Sequence, residues 1–323
     1  MEDSDDEEHD ERKYVRWLNG RRNTKIVRLA VLNGLGAFFH FVNMMIEIAV
    51  GARFNMHLAV VSRQVRNATQ PDSPTSFEYY YETAYWFPIT IAVFMIHVMS
   101  LAFHLFILAF LVADIFQWYN RAADWYLRGI FRCRAPWRWL EYFFSASLQI
   151  WCMCISIGIR DSQLVLAVVI LCATTIMFGW IAEIVSSRVV DNSDLKNRRW
   201  KGALFGEIFF DRVLYCHAVA YIPYVAMWTI ILYTFQEHKD AMGDTYPSYI
   251  DTLIALTVIG FSSFGFIQSA NQILPNGPSW YEWGEVAYVV MSFATKAQMV
   301  LIIVFNSLVP GSKFDRQLGA NFF

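Results

Sequence analysis

A lysine lies in the middle of a long apolar run near the end of the chain. Lys296 belongs to the stretch SFATKAQMV, which is part of VAYVVMSFATKAQMVLIIVF. A charge near the centre of a bilayer costs about 2.5 kcal/mol or more, so such a lysine needs a partner or a reason to be uncharged. Four interpretations are open: a side chain that reaches the membrane surface, an ion-paired ammonium, a neutral amine, or an amine joined to a carbonyl ligand as a Schiff base.

The depth of Lys296 disfavours the first interpretation. The apolar run predicts a helix over Trp283–Leu308, in which Lys296 is 13 residues from the start and 12 from the end. At about 1.5 Å per residue, the lysine lies roughly 20 Å from either membrane surface. A lysine stem covers only a fraction of that distance.

A charged amine in this position needs a nearby carboxylate, and Glu141 in RWLEYFFSAS is the candidate. A protonated Schiff base has the same requirement. Glu141, however, lies only about four residues from the predicted start of its own helix. A simple count of depth leaves it well short of Lys296, so a glutamate at the membrane interface is the alternative interpretation.

Several polar residues are spaced four apart on three predicted helices, which puts each pair on one helical face. The pairs are Ser100 with His104, Glu141 with Ser145, and Ser292 with Lys296. Two further histidines, His40 and His97, also lie in apolar runs. A single membrane histidine is more often a hydrogen-bonded packing residue than a proton carrier. Together, these residues predict one polar cluster inside a helix bundle.

The composition indicates an integral membrane protein. Of the 323 residues, 56% are hydrophobic and only 17% are charged, which is less charge than a soluble chain usually carries. The charge is also unevenly distributed, because eight of the 28 acidic residues lie in the N-terminal stretch MEDSDDEEHDE. This pattern predicts one membrane domain without a soluble enzymatic module, so we do not expect an enzyme.

Seven segments are long and apolar enough to cross a bilayer, which predicts an all-α bundle of seven transmembrane helices. They are Ile26–Val50, Tyr85–Ala113, Trp137–Ile157, Gln163–Ile184, Ala203–Tyr233, Ile250–Ile273 and Trp283–Leu308. Residues 26–308 form the predicted membrane domain, and residues 309–323 a short tail. We expect residues 1–25 to form a disordered tail. The long loop 51–84 contains MHLAVVSRQV, which is typical of a strand.

The basic residues predict the orientation. With the N-terminus inside, the inside segments hold 17 Lys and Arg residues, Arg138 among them, and the outside segments hold seven. Since cytoplasmic loops are enriched in basic residues, we expect a cytoplasmic N-terminus. An odd number of helices then puts the C-terminus outside.

Over about residues 26–308, the chain resembles the heliorhodopsins. The stretch RWLEYFFSAS (residues 138–147) is similar to their third-helix signature, and SFATK (292–296) to their seventh-helix lysine motif. The stretch SLAFH (100–104), together with His40, is similar to their polar cluster. The predicted inside N-terminus agrees with the inverted topology of that family.

The resemblance implies all-trans retinal bound to Lys296 as a protonated Schiff base, with Glu141 as its counterion. A polar network around this group would consist of Ser100, Ser145, Ser292, His40 and His104. Aromatic side chains would line the polyene, namely Tyr142, Tyr224, Trp228 and Phe261. The loop 51–84 would contribute to a homodimer. We expect a multi-pass protein of the cell membrane that contacts lipid and binds neither metal nor nucleic acid.

The sequence departs from rhodopsins that pump protons. Pumps usually have an aspartate four residues before the lysine and a proton-donating carboxylate eleven residues after the counterion. Here those positions are Ser292 and Cys152. The predicted sixth helix also lacks the tryptophan that usually contacts the chromophore. Efficient proton pumping is therefore not expected.

Three functions stay open. The first is a light sensor whose cytoplasmic face is read by a partner protein. The second is a light-gated proton conductance, for which the chain has extra membrane acids, namely Glu47, Glu183, Glu207 and Asp211. The third is a retinal-free transporter in which Lys296 pairs with a buried acid.

Overall fold

The computed structural model describes residues 11–18, 20–51, 57–67, 77–119, 121–191, 212–243, 249–273 and 278–307. Within these ranges seven helices have 21 or more residues. They are α2 (Arg22–Gly51), α3 (Ile89–Ile115), α5 (Pro136–Ser156), α6 (Ser162–Asp191), α7 (Arg212–Met242), α8 (Tyr249–Ile273) and α9 (Pro278–Ser307). Two short helices, α1 (11–18) and α4 (Asp124–Phe131), and two strands, β1 (His57–Asn67) and β2 (Phe77–Pro88), complete the description.

The boundaries of most helices lie close to the predicted ones, and several differ. Helix α8 begins one residue before its prediction, whereas α9 begins five residues earlier than predicted. Helix α7 continues to Met242, and residues 203–211 of the predicted fifth helix lie outside the described residues. The prediction of a disordered tail over 1–25 is wrong for residues 11–18 and 22–25, which are helical.

The long loop between α2 and α3 contains an antiparallel hairpin, so the described part of the fold is not purely helical. The strand prediction over MHLAVVSRQV is confirmed from His57 onward. The predicted helix start at Tyr85 is wrong, because β2 extends to Pro88 and its aromatic residues favour a strand. Val61 donates its N–H to the Arg160 carbonyl at 2.9 Å, which ties the hairpin to the turn between α5 and α6.

Five of the described helices are long and apolar enough to cross a membrane, namely α2, α3, α6, α7 and α8. The other two long helices, α5 and α9, carry buried ionisable side chains that include Glu141, Arg138 and Lys296. Apolar side chains from α3, α5, α6, α7, α8 and α9 form one continuous core. This core joins six of the seven long helices.

A second, smaller cluster closes one end of the bundle. Arg22 at the start of α2 donates to Asp114 at 2.7 and 2.6 Å, and to Asp124 of α4 at 2.9 Å. Tyr14 of α1 donates to Asp124 at 3.4 Å, and burial together with that carboxylate raises the pKa of Tyr14 well above its ordinary value. Glu11 accepts from Arg128 at 2.6 Å. These ion pairs hold α1 and α4 against α2 and α3.

Candidate functional site

Lys296 forms a buried ion pair with Glu141. The Lys296 Nζ atom donates to Glu141 Oε1 at 2.6 Å and to Ser100 Oγ at 2.7 Å, and Ser100 Oγ also donates to the same carboxylate oxygen at 2.6 Å. The side chains of Lys296 and Glu141 are 3% and 6% exposed. Removing one partner of such a pair leaves an uncompensated buried charge, which costs about 3–5 kcal/mol. The site is therefore an amine held beside a single carboxylate in an apolar surrounding.

The contact forms although Glu141 lies 5 residues into α5 and Lys296 lies 18 residues into α9. Gln149 of α5 donates to the Thr295 carbonyl of α9 at 3.1 Å, and Tyr142 donates to the Tyr288 carbonyl at 3.3 Å. These contacts put the part of α5 that contains Glu141 beside the part of α9 that precedes Lys296. Side chains lean toward the start of their helix, so the long Lys296 stem points back toward Glu141. Counting residues from each helix start made Glu141 appear too far from Lys296, because α9 begins further toward its own N-terminal end of the bundle than α5 does.

Histidines from α2 and α3 lie next to the ion pair. His40 and His97 approach each other through their Nδ1 atoms at 2.9 Å, and the rings of His40 and His104 stack with centroids 5.6 Å apart. His104 contacts Asn33 Oδ1 through its own Nδ1 at 2.9 Å. All three imidazoles are buried, and His97 and His104 lie within four residues of Ser100 on α3, which contacts both Lys296 and Glu141.

The close packing of α2 and α3 depends on a glycine under one of these rings. A Cβ atom at Gly36 would lie 2.9 Å from the His104 ring, which is closer than side chains tolerate. Ser145, one helical turn beyond Glu141, is fully buried in the same region. The structure therefore places the predicted polar residues Ser100, Ser145, His40 and His104 on the α2, α3 and α5 side of the lysine.

A cavity of about 120 Å³ lies on the other side of Lys296, among α5, α6, α7, α8 and α9. Five residues predicted from the sequence line it, namely Lys296, Ser292, Tyr142, Tyr224 and Phe261. Trp228 is not among the residues that line this cavity, and its ring packs against Tyr224 and Phe261, with centroids 6.4 and 6.2 Å away. Its expected contact with the polyene stays a prediction.

The cavity walls include residues that the sequence did not single out. Trp139, Tyr288, Met227 and Gln268 line it, and Tyr288 donates to Gln268 Oε1 at 2.5 Å. The spacing of Tyr288, Ser292 and Lys296 at four-residue intervals on α9 was a signal that could have found Tyr288.

Glycine creates room in this wall. A Cβ atom at Gly179 of α6 would lie 2.7 Å from the Trp139 ring, so this ring reaches its position only because residue 179 has no side chain. The walls are otherwise mostly apolar and aromatic, and Lys296 is among the residues that line them. These residues fit an apolar ligand that carries a carbonyl group, which is the chemistry of retinal.

Arg138 forms a second buried ionic group at the start of α5. It donates to Glu183 of α6 at 2.6 Å and also pairs with Glu285 of α9, while Tyr281 donates to Glu183 at 3.0 Å. The Arg138 guanidinium stacks on the ring of Tyr288. Arg138 lies inside α5, although it was counted with the basic residues of the inside segments. Four others of that count also lie inside long helices, namely Arg22, Lys25, Arg28 and Arg188, as does Lys239 of the outside count, so 12 against six remain.

Of the four acids predicted to lie in the membrane, two belong to the described residues. Glu47 of α2 and Glu183 are buried side chains within described helices. Glu207 and Asp211 lie outside the described residues.

Residues 29–308 match the family model described as Heliorhodopsin. No curated protein matches the chain. Solved structures are similar at low identity. Cyanorhodopsin N2098R from the cyanobacterium Calothrix sp. NIES-2098 is 11% identical, with a TM-score of 0.52 over 88% of this chain and 96% of that one. Thermophilic rhodopsin is 10% identical, with a TM-score of 0.55 over 93% of this chain and 97% of that one. At such identity the likeness shows a common fold.

Proposed function

This chain belongs to the heliorhodopsin family, and from that premise we propose that it senses light through retinal at Lys296 and signals at its cytoplasmic face, without efficient ion pumping. Membership and fold make it a retinal photoreceptor and an integral multi-pass membrane protein. The observation that carries the proposal is Lys296, which lines this mostly apolar cavity and whose Nζ atom lies 2.6 Å from Glu141 Oε1.

In this proposal Lys296 holds all-trans retinal as a Schiff base, and Glu141 is the counterion. Bound retinal supplies light absorption and isomerisation. The protein supplies the rest. The Glu141 carboxylate stabilises positive charge at the Lys296 nitrogen, and Ser100 fixes that carboxylate by a hydrogen bond. Tyr142, Tyr224 and Phe261 form apolar walls that exclude water from the ligand.

Signalling, rather than pumping, is supported by the link from the cavity to Arg138. Tyr288 lines the cavity and also stacks on Arg138, which pairs with Glu183 of α6 and Glu285 of α9. A displacement of α9 at Lys296 therefore changes contacts among α5, α6 and α9 at the far end of the site. Such a shift between two helix arrangements is what a partner protein reads.

A light-gated proton conductance is the second candidate. The buried Glu47 and His97 on one side of Lys296, and Glu183 and Glu285 on the other, favour it, because ionisable groups inside a membrane protein mark proton paths. Recording under voltage clamp in cells that contain the retinal-loaded protein separates the two. A sensor gives no steady photocurrent, whereas a conductance gives a current that reverses with the proton gradient. Family membership argues against the third candidate, a retinal-free transporter.

The arrangement in the membrane is part of the same proposal. Seven helices cross the bilayer, the N-terminus is cytoplasmic and the C-terminus is outside the cell membrane. The β1–β2 hairpin then lies outside, where we expect it to contribute to a homodimer, while the partner that reads the signal binds at the cytoplasmic face. Neither an enzymatic reaction nor nucleic-acid binding belongs to this proposal.

A further inference from the structure

Three buried ionisable groups on the α2–α3 side of the site take no part in the Lys296–Glu141 pair. His40 and His97 meet through their Nδ1 atoms at 2.9 Å, and His97 Nε2 lies 3.5 Å from Glu47 Oε1. The two histidines are 0% exposed and Glu47 is 6% exposed. The three groups form a row that leads from the neighbourhood of Lys296 to Glu47, four residues before the end of α2.

The contact between the two imidazoles fixes where protons reside. An Nδ1–Nδ1 approach at 2.9 Å is a hydrogen bond only if one ring carries its proton there and the other does not. The ring that accepts at Nδ1 therefore carries its proton at Nε2. Each ring has one donating and one accepting nitrogen, so it can take a proton on one nitrogen and release one from the other.

Glu47 provides the end of the row. Neither of its carboxyl oxygens has a hydrogen-bond partner among the described residues. An ionised carboxylate without partners is costly in an apolar interior, so Glu47 holds its proton in the resting protein.

From this geometry we infer that Glu47 is an internal proton donor to the Lys296 nitrogen, with His97 and His40 as the relay. The inference deepens the proposed light-driven function and rests on it. Proton donation is thereby assigned to a neutral acid on α2, because α5 has the weakly acidic Cys152 at the position where pumps usually have the donor.

Two protons move, and each is accounted for. Light moves the proton of the Lys296 nitrogen to the Glu141 carboxylate, which lies 2.6 Å away. Glu47 then gives its carboxyl proton to His97 Nε2, and His97 passes its Nδ1 proton to His40 Nδ1. His40 releases its Nε2 proton toward Lys296 through a bridging water, since His40 Nε2 has no hydrogen-bond partner among the described residues. Both imidazoles stay neutral, and the cycle ends when Glu141 returns its proton to Glu47, so no net proton crosses the membrane. The separation of 3.5 Å between Glu47 and His97 is longer than a hydrogen bond, so the carboxyl group must turn slightly before it donates.

The test uses the full chain, loaded with retinal in membranes, and a light flash. Loss of the proton from the Lys296 nitrogen shifts the visible band to shorter wavelength, and return of the band reports reprotonation. We expect Glu47→Gln to leave the loss unchanged and to slow the return by about tenfold or more, as removal of a general acid does. Sodium azide, a diffusible weak acid, should restore a fast return in this variant.

Matched variants complete the design. Glu237→Gln makes the same change on an exposed face of α7 and should return at the wild-type rate. Glu47→Asp keeps an acid and should stay fast, whereas His97→Asn interrupts the relay and should be as slow as Glu47→Gln. If Glu47→Gln fails to fold, the comparison of His97→Asn with Glu47→Asp decides instead.

Infrared spectra of the retinal-free protein give a second readout that does not depend on light. We expect the C=O band of a protonated carboxyl group that disappears in Glu47→Gln. The absence of that band overturns the inference, as does an unchanged rate of return in Glu47→Gln, or a wild type that never loses the proton. A wild type that forms no visible band with retinal contradicts the proposed function instead, and the infrared band still reports the state of Glu47.

Discussion

The guanidinium carbon of Arg138 lies 3.9 Å from the centre of the Tyr288 ring, and Tyr288 also lines the cavity beside Lys296. Arg138 at the same time pairs with Glu183 and Glu285. One aromatic side chain therefore separates the ligand cavity from a buried ionic group that joins three helices. This relationship makes the Arg138 group both a stabilising element and the nearest structure that could respond to a change in the cavity.

Arg138→Gln should destabilise the protein strongly. The substitution leaves Glu183 and Glu285 buried without their cation, which costs about 3–5 kcal/mol. Thermal unfolding in detergent, followed by circular dichroism, measures the loss. The control is Arg121→Gln, since Arg121 is 65% exposed and its ion pair with Asp124 is expected to contribute less than about 1 kcal/mol.

The triple variant Arg138→Met, Glu183→Gln, Glu285→Gln tests the electrostatic explanation. It removes all three charges, so it should be more stable than Arg138→Gln alone. Equal or lower stability of the triple variant would show that packing, rather than unpaired charge, dominates at this position.

Gly179→Ala should disturb the cavity wall. The new methyl group would lie 2.7 Å from the Trp139 ring, so the ring has to move, and both residues line the cavity. We expect weaker retinal uptake and a shifted visible band, both measured by titration of the purified protein with retinal. Gly34→Ala is the matched control, because its methyl group would meet only Leu108 at 4.0 Å. Identical behaviour of the two variants would contradict this account of Trp139.

The sequence predicted those features that depend on local pattern. Apolar runs of bilayer length located the long helices, and four-residue spacing brought Ser292 and Lys296 onto one face. These local patterns did not predict contacts between residues on different helices. The partners of Arg138 are Glu183 of α6 and Glu285 of α9, which lie 45 and 147 positions further along the chain.

The relative position of two helices along the bundle axis likewise cannot be read from one sequence. The contact between Glu141 and Lys296 depends on how far α9 extends below α5, and no pattern within either helix contains that information. Tyr85–Pro88 is a related case. The run YWFP is apolar enough for a helix, but pairing with β1 makes it a strand.

Accessibility of tags tests the orientation. The excess of basic residues on the side of the N-terminus predicts that this end is cytoplasmic. In intact cells, a tag on the N-terminus should be protected from added protease, and a tag on the C-terminus should be cleaved. Permeabilised cells provide the control, because both tags should then be cleaved. The opposite protection pattern in intact cells would refute the inverted topology.

Lys296→Ala should abolish the visible pigment while the protein still inserts into membranes. The amine is the proposed attachment point for retinal, and the substitution also leaves Glu141 without its cation. Absorbance after reconstitution with retinal is the measurement. Loss of the cation costs about 3–5 kcal/mol, so Lys296→Ala combined with Glu141→Gln is the control for folding. A coloured, retinal-bound Lys296→Ala protein without added amine would exclude this attachment.

Glu141→Gln distinguishes a counterion from an interfacial glutamate. The amide keeps the shape of the side chain and can still accept from Ser100, but it removes the negative charge 2.6 Å from the Lys296 nitrogen. Without that charge the protonated form is less stable, so the pKa of the retinal-bound nitrogen should fall and the pigment should lose its proton at lower pH. While protonated it should absorb at longer wavelength, because a counterion localises charge near the nitrogen. Ser292 cannot compensate, since a hydroxyl carries no charge at neutral pH. A pH titration of the visible band measures both effects, with Glu237→Gln as the control. An unchanged titration midpoint and an unchanged colour would show that another acid is the counterion, and Glu47 and Glu183 would be the next to be replaced.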